Sequence, residues 1–215
     1  MTHQSLPSAA DRGFLLLQQV DRLRADLRQR SPFELASRTG GTYRVIQLGE
    51  GEFSLSLWGQ AVRISFPGWI AYDQEDQQLN PALQALLVYH FHTSDGSPAA
   101  RQFIAFSDLE VGRFYTRAFQ NYTGDELRRT FRDDQTRFIS AALTVGGVPY
   151  PLGDAAFTFP FLPRVELLVV FWRGDEDFPS NYQILFDAAA SNHLPTDACA
   201  MAGSMLTRKL TSLSS

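Results

Sequence analysis

The apolar positions nearest the amino terminus keep helical time. Leu16, Val20, Leu23 and Leu27 are spaced four, three and four residues apart, which is one stripe of an α-helix. Ser8 is a candidate cap, and the helix is expected to run to about Arg30. Asp21, Arg22, Arg24, Arg28 and Arg30 fall off the stripe. They read as a solvated outer face, with a membrane-surface helix as the alternative. Ser31-Pro32 restarts a short helix with proline at its first position, and Gly40-Gly41 ends it.

The period then changes from near four to two. Tyr43 to Leu48, Phe53 to Trp58 and Ala61 to Phe66 read as strands. Phe53, Leu55 and Leu57 alternate with Ser54, Ser56 and Trp58, and Val62, Ile64 and Phe66 with Arg63 and Ser65. Glu50-Gly51 and Gly59-Gln60 are the expected turns of an antiparallel meander with one wet face. Asn80-Pro81 opens a helix whose apolar face is Leu83, Leu86, Leu87, His90 and Phe91, ending at Asp95-Gly96. Arg101 to Phe106 is a short strand. Thr123 to Glu126 has the form of a capping box and opens a helix to about Asp133. Gln135 to Val145 is a helix with Phe138, Ile139, Ala142 and Leu143 on one side, stopped by Gly146-Gly147.

Strands return at Ala155 to Phe159, Val165 to Trp172 and Tyr182 to Phe186. The second is almost wholly apolar, so it is expected at the centre of a sheet, covered on both faces. Leu194-Pro195-Thr196 opens a last helix carrying Ala198, Met201, Ala202, Met205, Leu206 and Leu210 at helical spacing. The fold class is therefore α+β: a mostly antiparallel sheet with helices at both ends and packed on it. No linker or repeat breaks the chain. One domain over 1–215 is expected, with a helical region at 1–40 and a sheet-containing body at 41–215.

Composition adds exclusions. At 215 residues the chain is long enough for a sizeable core, and its 17 Phe make that core bulky and suggest an apolar cleft. The net charge of −4 gives no reason to expect nucleic acid. The single cysteine, Cys199, rules out an internal disulfide and a cysteine-only zinc or iron–sulfur site. No basic segment followed by an apolar run marks the first residues, and Val165 to Trp172 falls far short of a membrane span. A cytoplasmic protein without membrane contact is expected.

The stretch from Gly153 to Leu210 is the most distinctive. It holds Gly153-Asp154-Ala155-Ala156-Phe157, Leu162-Pro163-Arg164-Val165, Phe171 to Pro179, Ile184-Leu185-Phe186-Asp187 and His193-Leu194-Pro195-Thr196-Asp197. With the Asn80-Pro81 helix and Gly112-Arg113-Phe114-Tyr115, this resembles the bacterial and archaeal family catalogued as domain of unknown function 3786. The resemblance covers the chain from about residue 40. It implies no assigned chemistry. Relatives of this kind include proteins of anaerobes with an added cysteine-rich iron–sulfur module, which a chain with only Cys199 cannot supply.

Four groups of residues could carry chemistry. The loop Asp175-Glu176-Asp177 follows the most apolar strand; such carboxylates can hold a divalent cation or divide acid and base roles, or simply form a solvated turn. Asp187 could orient His193 for proton transfer or share a metal with it, or tie down the turn after its own strand with His193 a hydrogen-bonded loop residue. If Val165–Trp172 and Tyr182–Phe186 pair as a hairpin, the acidic loop and Asp187 lie at opposite ends. His90 and His92 are about 200° apart on a helix and do not chelate, and His90 reads as a core histidine. Cys199 falls in the first turn of the last helix if Thr196 caps it, where a thiol is activated; the plainer reading is a small buried residue. Trp172 and Trp58 are candidates for a binding face or for plain packing. No nucleotide phosphate loop, dinucleotide fingerprint, nucleophile elbow or zinc-protease motif is present.

These residues leave two functional expectations and specify no cofactor. The first is a non-catalytic accessory domain that binds a small molecule, a cofactor or a protein, through a pocket lined by Phe and Trp with few titratable groups. The second is a metal-assisted hydrolase using the Asp175–Asp177 loop, or Asp187 with His193.

Overall fold

The computed structural model describes residues 19–213. Helix α1 occupies 19–27, with Val20 and Leu27 buried, while Ser8 and Leu16 lie outside the described residues. Helix α2 (Pro32–Thr39) ends where Gly40 turns left-handed at φ 73° and its N–H returns to the Ser37 carbonyl. The meander follows as β1 (Thr42–Gln47), β2 (Glu50–Leu57), β3 (Gln60–Phe66) and β4 (Ala71–Tyr72), antiparallel in that order.

Both turns of the meander differ from expectation by one or two residues. Gln47 pairs with Glu50, and Leu57 with Gln60, so the turns are Leu48-Gly49 and Trp58-Gly59. A tight two-residue hairpin needs positive φ at its central positions. Trp58 (φ 53°) and Gly59 (φ 76°) supply it, although a large aromatic in that conformation is uncommon.

Helix α3 (Pro81–Thr93) starts as the Asn80 side chain accepts the Leu83 N–H. After β5 (Phe103–Ala105) come α4 (Thr116–Tyr122), α5 (Gly124–Phe131) and α6 (Gln135–Thr144). The expected capping box is absent. The Thr123 hydroxyl donates backward to the Phe119 carbonyl at 2.6 Å instead of accepting from the next turn, because α4 already occupies the chain before it. Short β6 (Val148–Pro149) leads to β7 (Ala155–Leu162), β8 (Val165–Trp172), β9 (Asn181–Asp187) and α7 (Thr196–Ser212).

The second sheet is antiparallel in the order β5-β9-β8-β7-β6. β8 is central, as its apolar run demands, and Leu167 to Phe171 are all fully buried. One face carries Phe157, Phe159, Phe161, Leu167, Val169 and Phe171 into the main core, which the first sheet and the helices share. The other holds a smaller cluster of Ala156, Leu168 and Val170, edged by Phe103, Trp172 and Leu185. The two sheets touch where the Trp58 N–H donates to the Phe161 carbonyl at 2.9 Å and the rings lie 4.5 Å apart. The molecule is an α+β fold, and among the described residues no helix is long and apolar enough to cross a membrane.

Helix α6 separates sequence pattern from burial. Phe138 is fully buried, packed on Phe131, Phe157, Phe171 and Tyr182. Leu143, expected on the same side, is 53% exposed. Phe138→Ala should therefore cost about 3–5 kcal/mol and Leu143→Ala within about 0.5 kcal/mol, as read from urea unfolding of the two variants.

Candidate functional site

The β8–β9 hairpin places the acidic loop and Asp187 at opposite ends. Trp172 pairs with Asn181 beside the loop, while Asp187 closes β9 six residues on, roughly 20 Å away along a strand. In the loop, Asp175 Oδ1 accepts the N–H groups of Asp177 (3.0 Å) and Phe178 (2.8 Å), a side-chain-closed turn. Asp133 and Asp154 hold its base by accepting the Gly174 and Arg173 N–H groups. Glu176 and Asp177 face water. Trp172 is half-buried over the smaller cluster.

Asp187 is fully buried. Its carboxylate accepts three backbone N–H groups: Ala100 at 2.9 Å, Arg101 at 2.7 Å and Ala189 at 2.9 Å. His193 is also fully buried, but its ring turns elsewhere. Nε2 lies 3.1 Å from the Ser97 carbonyl and Nδ1 3.3 Å from Ser94 Oγ. Ser94 Oγ is also 3.1 Å from His90 Nδ1. His90 faces carbonyls at both nitrogens, His193 at 3.3 Å and Thr39 at 3.4 Å. The two histidines thus share one serine in a sealed knot that ties the end of α2, α3 and the approach to α7.

Burial outweighs those carbonyls and pushes His90 down to about 4, and burial likewise lowers His193. Both are neutral at pH 7. His92 points the other way, half-buried against Asp26 at 3.3 Å. Burial raises the Cys199 thiol to about 12, so it is no thiolate nucleophile. Thr196 does not cap α7; its hydroxyl donates to the Glu110 carbonyl at 2.6 Å, and Pro195 stands at the cap. Among the described residues no three His, Cys, Asp or Glu side chains gather as metal ligands.

An open cleft of about 910 Å³ lies elsewhere. Its floor is Leu57, Val62, Leu79, Leu83 and Met205, and Trp58 stands as a wall. Asp73, Glu75, Arg208 and Lys209 are its charged lining residues. Lys209 Nζ lies over the Trp58 ring at 5.8 Å, a cation–π geometry. Arg208 reaches the Ser204 carbonyl and hydroxyl at 3.4 and 3.3 Å. Asp73 is occupied by the N–H groups of Glu75 and Gln77. The cleft has Trp58 but no Phe and four charged side chains, so it differs from the expected pocket of Phe and Trp with few titratable groups. Trp58 was the sequence signal for it. Its other walls, from β3, the loop before α3 and the end of α7, meet only in the fold.

A family model described as domain of unknown function (DUF3786) matches residues 31–209. No curated protein and no solved structure matches the chain.

Two outcomes test the structural assignments. Asp187→Ala leaves three backbone N–H groups, that of buried Ala189 among them, without their acceptor and should destabilise by about 2–4 kcal/mol in urea unfolding. His90 is ordinarily near 6.5 when unfolded and about 4 when folded, so the unfolded chain binds more protons between those values. Stability should fall as pH drops from about 6.5 to about 4, by about 3 kcal/mol from His90 alone. His193 acts in the same direction. The slope of unfolding free energy against pH should flatten in His90→Gln.

Proposed function

The chain belongs to the domain of unknown function 3786 family, and on that premise we propose that it is a non-catalytic binding domain for a small organic molecule, held in the Trp58 cleft. The observation that carries the reading is Trp58 itself. A large side chain at φ 53° in a tight turn is costly where Asn or Gly would serve. The ring in return lines an open cleft of about 910 Å³, with Lys209 against it. An unfavourable local choice that builds a cleft is the pattern a binding site leaves.

The lining names the class of ligand. A flat apolar body suits Trp58, Leu83 and Met205, and an acidic group suits Lys209 and Arg208. Glu75 in the same lining disfavours a second acidic group. A metal-assisted hydrolase has less to support it: the acidic loop lies at the wrong end of the hairpin from His193, and Asp187 and both buried histidines already have partners. The single buried, unpaired Cys199 suits a reducing compartment. The proposal takes 1–215 as one domain working in the cytoplasm.

The test is a thermal-shift screen of aromatic carboxylates, indole-3-acetate among them, and organic phosphates. A ligand that raises the melting temperature should bind at least about tenfold more weakly, about 1.4 kcal/mol, to Trp58→Ala. Lys209→Ala should weaken it less, and added salt should weaken it further. Binding untouched by Trp58→Ala, or stabilisation by a divalent cation alone that is lost in His193→Ala, would count against the reading.

A further inference from the structure

The free edge of the first sheet is unusually apolar. β1 pairs with β2 on one side, and among the described residues no main-chain hydrogen bond reaches its other side. Val45 is 56% exposed and Ile46 59%, and Leu48 at the turn is wholly exposed. Phe33 on α2, 62% exposed, adds to the patch and meets the Tyr43 ring edge-on at 5.2 Å. Solitary proteins blunt such edges with Lys, Pro or several charges. β1 has one charge, Arg44, which leans on Glu52 of β2 at 3.3 Å.

We propose that two copies of the chain join here, their β1 strands pairing antiparallel about a twofold axis so that the two four-stranded sheets continue into one. The strand is complementary to itself. A twofold axis sets a strand against its own copy in antiparallel fashion. Centred on Val45 or on Ile46, the axis puts Arg44 opposite Ile46 or Leu48 of the other copy, and never opposite a second Arg44. The uncharged run from Val45 to Leu48 then fills the middle of the contact.

Area points the same way. Phe33, Val45, Ile46 and Leu48 leave roughly 500 Å² of apolar surface per copy, near the top of the range for the largest patch on a solitary protein. Doubled across the axis, that is at most about 1,000 Å², the lower bound for a specific interface, and the main-chain hydrogen bonds of the paired strands add to it. The Trp58 cleft opens at the far end of β2, about 25 Å along the strand, so pairing at β1 leaves it free.

Sedimentation equilibrium of the whole chain, from about 1 to about 100 μM, tests the proposal. The mass should rise with concentration from 24.1 kDa to twice that. Ile46→Lys, with an unchanged circular dichroism spectrum and melting temperature, should raise the dissociation constant about a hundredfold. Leu143→Lys, which alters an exposed leucine elsewhere, should leave the dimer intact. Because Cys199 is buried, mild oxidation should link two chains through the new thiols of either Val45→Cys or Ile46→Cys, whichever residue the axis meets. A single 24.1 kDa species at every concentration overturns the proposal. So does a dimer that Ile46→Lys does not weaken.

Discussion

Three backbone N–H groups aimed at one buried carboxylate hold the second sheet's edge together. Asp187 accepts from Ala100 and Arg101 on one side and from Ala189 on the other. A buried carboxyl group is costly unless its oxygens are hydrogen-bonded; here three main-chain N–H groups that cannot swing away bond them. That bond set fixes the segment before β5, so Phe103 can pair with Asp187 and Ile104 with Phe186. It also sets the turn after β9, which brings His193 under Ser94. Arg101 is held at φ 56°, a conformation its own preferences oppose.

The residues with the most suggestive chemistry are consumed by this frame. His90, His193, Asp187 and Cys199 are fully buried, and each faces a partner within the fold. Burial keeps the histidines neutral and the thiol protonated. Surface openings arise where packing gives out instead. Between the β2–β3 turn and the ends of α3 and α7 the apolar floor has no cover among the described residues, and a tryptophan is turned outward at its wall.

Much of the fold was legible because strong local signals agreed with tertiary need. The period-two run over Phe53 to Phe66 made a meander, the apolar run Val165 to Trp172 became the central strand, and Asn80-Pro81 started a helix. Misreadings came where two local signals compete. Gly59 was placed as the first turn residue when it is the second, because Trp58 is not a turn former and reads as strand. Thr123 has the letters of a cap but bonds backward to Phe119, since helix α4, with Thr116, Phe119, Asn121 and Tyr122 among its seven residues, gives little helical signal of its own. The cleft was legible only through Trp58. Its walls come from 57–62, 73–83 and 205–212, and no spacing rule joins segments so far apart in sequence.

The central claim is that ligand recognition belongs to the open cleft and not to the buried acids and histidines. Amide chemical-shift mapping of the isotope-labelled protein, titrated with indole-3-acetate, asks this most directly. The account predicts that the largest shifts fall on 57–62, 73–83 and 205–212, with His90, Asp187 and His193 undisturbed. Shifts centred on His193 and Asp187, or on the Asp175–Asp177 loop, would contradict it.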